Sequence, residues 1–333
     1  MYRGNSWWSV ISVIIILGVI LVLVVVQDLR TPEWSDETVM IKLAQHFPDY
    51  SLSSDWVKDY PFYNTASRQL VELEYTMPVW HHPPLATILL MPLAHLTSSV
   101  YVLRGVTIAC FLGALVLVYL TIRKTTKRAW WCLLPVLFFT NLYRGAIYLY
   151  HDAFMVFFFA LTWYLVVDKS KWKYVVACLL VLAKTQAFLL LLPLAIKDKS
   201  WKLLLTSLAL LPWLLWGAAV NHNLFWAVSH WSGVMSTAFP EWGPVFGAGV
   251  LPTLLAERLP LYLLLTVPIL TAVRRYYAEA CLLVIALGLY YDWLCIDYHF
   301  LTMLVALPLV MATWIDRIHV GRRLNEQGCT VVI

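Results

Sequence analysis

VISVIIILGVILVLVVV, residues 10–26, holds no charged side chain and a single hydroxyl, Ser12. A run of this length and apolarity reads as a helix that crosses a bilayer. It is long for the apolar stretch of a signal peptide, and no small-residue cleavage site follows, so it is expected to persist as a membrane anchor. The whole chain agrees with that reading. Of its 333 residues, 61% are hydrophobic and only 13% charged, where a soluble domain carries about a quarter. Mean hydropathy is +0.74. The expected fold class is an all-α polytopic membrane protein forming one domain over 1–333, because helices satisfy their own backbone in lipid.

Apolar segments recur at roughly 7–27, 85–97, 101–122, 129–149, 153–167, 174–196, 203–220, 260–273, 278–296 and 300–315. Several are too short for a full crossing, so about 9–11 transmembrane or half-spanning helices are expected. Arg3, Arg123 to Arg128, Lys169 to Lys173, Lys197 to Lys202, Arg274/Arg275 and Arg317 to Arg323 fall in short connections or termini, which assigns these to the cytoplasm. The net charge of +5 follows from that bias and calls for no nucleic acid. Two long loops, about 28–84 and 221–259, remain for the extracytoplasmic side. A full span over 85–97 would put the cluster RKTTKR outside, so 85–97 is expected to be a re-entrant half-helix that keeps RKTTKR inside; 174–196 is likewise expected to be broken, by Lys184 and Pro193. The six cysteines form no CxxC and indicate neither a disulfide framework nor thiolate zinc.

Ser35 can cap a helix whose first turn holds Asp36 and Glu37, with Val39, Met40, Leu43, Ala44 and Phe47 on one face. This predicts an amphipathic helix on the membrane surface. Its two acids serve either the helix N-terminus or chemistry. PVWHHPPL, 78–85, places Trp80, His81 and His82 before a double proline, as a rigid interfacial turn or as a ligand-facing pair. YRGAIYLYHDAFM, 143–155, brings Arg144, His151 and Asp152 to the junction of two apolar segments, where Arg144 and Asp152 could pair or could act. LAKTQAFLLLLPL, 182–194, buries Lys184 and Gln186 in an apolar run, so Lys184 must meet an acid of the bundle or a bound phosphate. Arg104 is a weaker case of the same kind. In loop two, His230 and Trp231 offer polar and aromatic surface suited to a sugar, or an interfacial belt. No GxxxxGK[ST] and no HExxH occurs.

Five stretches in order, SDE (35–37), HHPPLATILLMPLAHL (81–96), YLYHDAFM (148–155), LAKTQAFLLLLPLAIKDKSWK (182–202) and VSHWSGVM (228–235), resemble the polytopic glycosyltransferases of the GT-C fold. The nearest branch in character is the polyprenol-phosphate-mannose-dependent mannosyltransferases. The resemblance covers about 34–235 and departs from the family at His82, which stands before the double proline. It implies a sugar, mannose or a related hexose or pentose, passing with inversion from a polyprenyl-phosphate donor to a hydroxyl of a lipid or glycan. The active site would face outward from an integral, multi-pass protein of the cell membrane or its endoplasmic-reticulum equivalent. By the resemblance Asp36 is the catalytic base, with Glu37 as fallback. Lys184, Arg144, His82 and His81 hold donor phosphate. Asp152, His151, Gln186, His230, Trp231 and Trp80 face acceptor or sugar. Asp36 and Asp152 could also ligate a divalent cation, Mg or Mn, since both metal-dependent and metal-free members exist. A polyprenyl-lipid transporter or flippase, or a non-catalytic assembly protein, would use many of the same residues.

Overall fold

The computed structural model describes residues 7–31, 35–48, 82–124, 126, 129–138, 143–223, 226, 277–279, 281–282, 285, 302 and 304–312; at 35, 36 and 144 it describes the backbone alone. Among these residues the regular structure is helical and there is no strand. The helices are α1 (Trp7–Asp28), α2 (Ser35–His46), α3 (Leu85–Ala94), α4 (Val100–Arg123), α5 (Arg144–Ile147), α6 (His151–Val167), α7 (Lys173–Ala183), α8 (Leu191–Asp198) and α9 (Leu211–Asn221). Stretches of 3₁₀ helix cover Ala129–Phe138, Thr185–Leu190 and Trp201–Leu210. Most of the two long loops lies outside the described residues.

Three helical segments, Trp7–Asp28, Val100–Arg123 and Trp201–Asn221, are long and apolar enough to cross a membrane. α1 shows what that means for packing. Val13, Ile16, Ile20 and Val24 recur at helical spacing and are buried, while Ile14, Ile15, Val19 and Val22 on the other faces are exposed. Such an apolar face would be a liability in water and suits hydrocarbon. α6 is the opposite case. Phe154, Phe159 and Trp163 are fully enclosed, and α4 and α7 pack along its length. Gly113 permits the close approach of α4, because a Cβ there would lie 3.0 Å from Phe157 Cε2.

Contacts sort the ends of the helices into two sets. Asp28 at the close of α1, Glu37 in α2, Arg104 in α4, His151 at the start of α6 and Lys184 after α7 gather at one end. Lys124 after α4, Asp168 after α6, Lys173 opening α7 and Asp198 closing α8 gather at the other, joined by the pairs Lys124–Asp168 and Lys173–Asp198. The 17 residues of α6 separate the two ends by about 25 Å, close to the thickness of a hydrocarbon core. α3 does not carry the chain between them. His82 before it and Arg104 after it both contact the 148–151 region. Its ten residues rise only about 15 Å.

Three expectations change. The segment 129–149 is interrupted: a 3₁₀ stretch containing Pro135 is followed by the separate four-residue α5. The segment 174–196 breaks at Lys184, whose backbone is extended (φ −156°, ψ 139°), and not at Pro193. Pro193 sits in the first turn of α8, where a missing N–H has no partner to lose. Finally, α2 does not lie on a surface with one face buried. Glu37, Thr38, Val39, Met40, Ile41, Leu43 and Ala44 are all buried, against α3 and α4. Gln45 Nε2 donates to the carbonyl of Ala94 at 3.0 Å.

Gly217 in α9 tests this packing. A Cβ there would fall 2.2 Å from Trp226 Cε2, whose indole N–H donates to the Leu214 carbonyl. Gly217→Ala should lose about 1–3 kcal/mol. Gly18→Ala, with nothing within 4 Å, should be neutral or stabilising by up to about 1 kcal/mol. Thermal unfolding of the two variants in detergent, followed by tryptophan fluorescence, measures the contrast.

Candidate functional site

The site end is organised around Arg104, which is 0% exposed. Its Nε donates to Glu37 Oε1 at 2.8 Å and its Nη2 to Glu37 Oε2 at 2.6 Å, the two-pronged geometry that only a guanidinium offers. Nη1 reaches Asp28 Oδ1 at 3.1 Å and the Thr31 carbonyl at 3.0 Å. The Leu149 N–H donates to Glu37 Oε1 at 2.9 Å. The Thr107 hydroxyl lies 2.9 Å from the carbonyls of both Arg104 and Ile147. Tyr101 and Tyr148 flank the guanidinium, their ring centres 5.5 and 5.6 Å from its carbon. This network fixes the first turn of α2, and with it the backbone of Asp36, beside the bend at 148–150.

The bend leads straight into the second cluster. Tyr150 is extended and caps α6, so His151 and Asp152 occupy the first turn of that helix. Asp152 Oδ2 accepts from Lys184 Nζ at 2.7 Å, both side chains being buried. Lys184 stands directly after the last residue of α7, with extended backbone. His82 arrives from the double proline. Pro83 and Pro84 end the incoming chain and α3 begins at Leu85. His82 Nε2 and Tyr150 Oη are 2.8 Å apart. The rings of His82 and His151 lie with centres 4.3 Å apart, tilted by 35°, and the Tyr150 ring lies 5.1 Å from Lys184 Nζ.

Polar capacity is left over. Both ring nitrogens of the fully buried His151, Oε1 of Gln186 and Oγ1 of Thr87 have no hydrogen-bond partner among the described residues. Each such group costs about 1–3 kcal/mol. They sit on α6, on the turn after Lys184 and on α3, the elements that supply the cluster. A ligand with several oxygens, or ordered water, would satisfy them.

Of the residues singled out in the sequence, the structure brings together His82, His151, Asp152 and Lys184, with Gln186 two positions on. Glu37 lies in the adjoining Arg104 network. The side chains of Asp36 and Arg144, and all of Trp80, His81, His230 and Trp231, lie outside the described residues. Asp152 has Lys184 as a salt-bridge partner, one of the two answers that buried lysine required. Among the described residues no three His, Cys, Asp or Glu side chains converge as a metal set. Asp152 alone of the candidate cation ligands Asp36 and Asp152 has a described side chain, and it is engaged by an ammonium. Sequence reasoning passed over Tyr150, Thr87 and Asp28. Tyr150 carries no signal that separates it from Tyr148, and Asp28 looked like one more loop acid. Comparison of the chain with protein-family models, curated proteins and solved structures gave no match.

Removing one member of a buried ion pair leaves the other uncompensated. Lys184→Met should therefore cost about 3–5 kcal/mol. Lys184→Met combined with Asp152→Leu should recover most of it, the two substitutions being strongly non-additive. Thermal unfolding of both single variants and the double variant checks this cycle.

Proposed function

We propose that the chain is a multi-pass membrane glycosyltransferase of GT-C type that moves a sugar from a polyprenyl-phosphate donor to a hydroxyl of a lipid or glycan on the extracytoplasmic side. The observation that supports this reading is convergence. Four stretches far apart in sequence, SDE, HHPP, YLYHD and LAKTQ, meet at one end of the bundle through Glu37–Leu149, His82–Tyr150 and Asp152–Lys184. These are four of the five stretches that carry the family resemblance. The basic turns lie at the opposite end, where the positive-inside rule puts the cytoplasm.

In this reading the hydroxyl oxygen of the acceptor attacks the anomeric carbon of the donor. The new C–O bond forms as the bond to phosphate oxygen breaks, the hydroxyl proton passes to a carboxylate, and prenyl phosphate leaves as an anion. A single displacement inverts the anomeric centre. Glu37 is engaged by Arg104 and by a backbone N–H, so its charge is already committed. The base role falls to its neighbour Asp36, whose backbone the Arg104 network holds next to α6. On this reading His82 and the Tyr150 hydroxyl would meet the negative charge building on the departing phosphate, with Lys184 beside them already balanced by Asp152. A Mg or Mn ion would need Asp36 and further ligands outside the described cluster, and no step above depends on one.

Two substitutions separate the roles. Asp36→Asn should abolish sugar transfer, with a loss of at least about 100-fold, while leaving thermal stability near wild type. Glu37→Gln should instead lower stability by about 1–3 kcal/mol. The readout is incorporation of labelled sugar from a polyprenyl-phosphate donor in proteoliposomes, beside unfolding curves. Full turnover by Asp36→Asn removes the base assignment. Movement of labelled donor across the bilayer without a product bond would favour the transporter.

A further inference from the structure

The end of the bundle away from Arg104 carries a short repeat. Residues 168–173 read DKSKWK and residues 197–202 read KDKSWK. Each Asp–Lys–Ser ends a helix in the same way. Ser170 N–H donates to the Leu165 carbonyl and Lys169 N–H to that of Val166. In the second copy Ser200 N–H donates to the Ala195 carbonyl and Lys199 N–H to that of Ile196. This is the Schellman closure, whose left-handed residue is usually glycine. Here it is lysine twice, Lys169 at φ 57° and Lys199 at φ 55°. A side chain in that conformation is strained; α9 closes the same way at His222 (φ 51°), and what sets the lysines apart is their recurrence in a repeated Asp–Lys–Ser turn.

The surroundings supply a reason for that recurrence. Lys173 of the first turn pairs with Asp198 of the second, and Asp168 pairs with Lys124, so the turns lie side by side and both of their acids are engaged. Lys169, Lys171, Lys199 and Lys202 remain exposed. Trp172 and Trp201 stand out at 69% and 66% exposure. On the helical segments that follow, Val175, Leu204, Leu205 and Leu208 are exposed too. The edge therefore passes from lysines through two indoles to apolar surface, the order of charges and chemistry met on passing from the headgroups into the acyl layer of an anionic leaflet.

We propose that the paired Asp–Lys–Ser turns form a docking surface for the phosphate headgroups of anionic bilayer lipids, with Lys169 and Lys199 kept in the left-handed conformation to point charge at them. A nucleic acid or acidic protein would match the lysines but leave the indoles and the apolar flank without a role. The inference is independent of the glycosyltransferase reading.

Glycine fits both strained positions better than lysine, so Lys169→Gly/Lys199→Gly should fold, with a melting temperature in neutral detergent equal to or above wild type. The full chain is titrated with phosphatidylglycerol and with phosphatidylcholine in detergent micelles, and binding is read by native mass spectrometry. Wild type should prefer phosphatidylglycerol, and the double variant should lose that preference on the order of tenfold. Lys169→Asn/Lys199→Asn, which also tolerates the conformation, should behave the same way. Equal binding of the two lipids by wild type, or an unchanged preference in the glycine variant, overturns the proposal. So does displacement of phosphatidylglycerol by a short RNA or polyglutamate at comparable charge concentration.

Discussion

A guanidinium sealed from solvent loses hydration worth several kcal/mol and must recover it from its neighbours. Arg104 does so with four oxygens, two from Glu37, one from Asp28 and one from the Thr31 backbone. Glu37 then carries the Leu149 N–H as well. Buried ion pairs are poor sources of net stability, because desolvation consumes most of the attraction. Their value is geometric: each bond is short, directional and expensive to break. This set ties the end of α1, the start of α2, the first turns of α4 and the bend before α6 to a single point. His151 and Asp152 stand where they do because Leu149 is held.

That constraint also explains why the molecule has two chemically different ends. Helices of bilayer length run between them, and α6, the most enclosed, carries no charged side chain after its first turn. Charge is excluded from the middle and collects at the ends in distinct forms. At the site end the clustered charges are buried and opposite in sign, Arg104 between two carboxylates and Lys184 against a third. At the other end the Lys173–Asp198 pair is largely covered and Asp168 is engaged by Lys124, while the remaining exposed charges are mostly positive. A cluster of buried, paired charges preserves a geometry, whereas exposed charges of one sign attract something from outside.

Much of this was legible in the sequence, for reasons that can be named. α1 and α4 are long apolar runs whose character does not depend on their partners. The split at Lys184 was foreshadowed by a charge in an apolar run, although Pro193 was wrongly made to share it: proline breaks a helix interior, and this one sits in a first turn. The interruption of 129–149 escaped because hydropathy does not distinguish one helix from a 3₁₀ stretch and a separate turn. The burial of α2 escaped because it depends on pairings across 67 to 112 residues of sequence. Spacing within a helix gives the faces; it does not say that a distant arginine will neutralise an acid and let every face be covered.

The same limit applies to the second cluster, and there it bears on chemistry. Lys184 was expected to meet either an acid or a phosphate, and the structure places Asp152 against it. The two partners are not alternatives in a working site. A lysine at this depth needs a counter-ion whether or not ligand is bound, and Asp152 in the first turn of α6 fulfils that need at the place where helix geometry also presents N–H groups. On the glycosyl-transfer reading, an arriving phosphate would meet a cation already neutralised. Its binding would then depend on the neighbouring histidines His82 and His151, on the Tyr150 hydroxyl and on the unsatisfied Gln186 oxygen. Selection would rest on the shape and number of oxygens more than on charge, which suits a phosphate diester, joined to both prenyl chain and sugar and singly charged, better than a free inorganic ion. The residues that look least catalytic in the sequence, the buried amide and the aromatic hydroxyl, would do much of the discrimination.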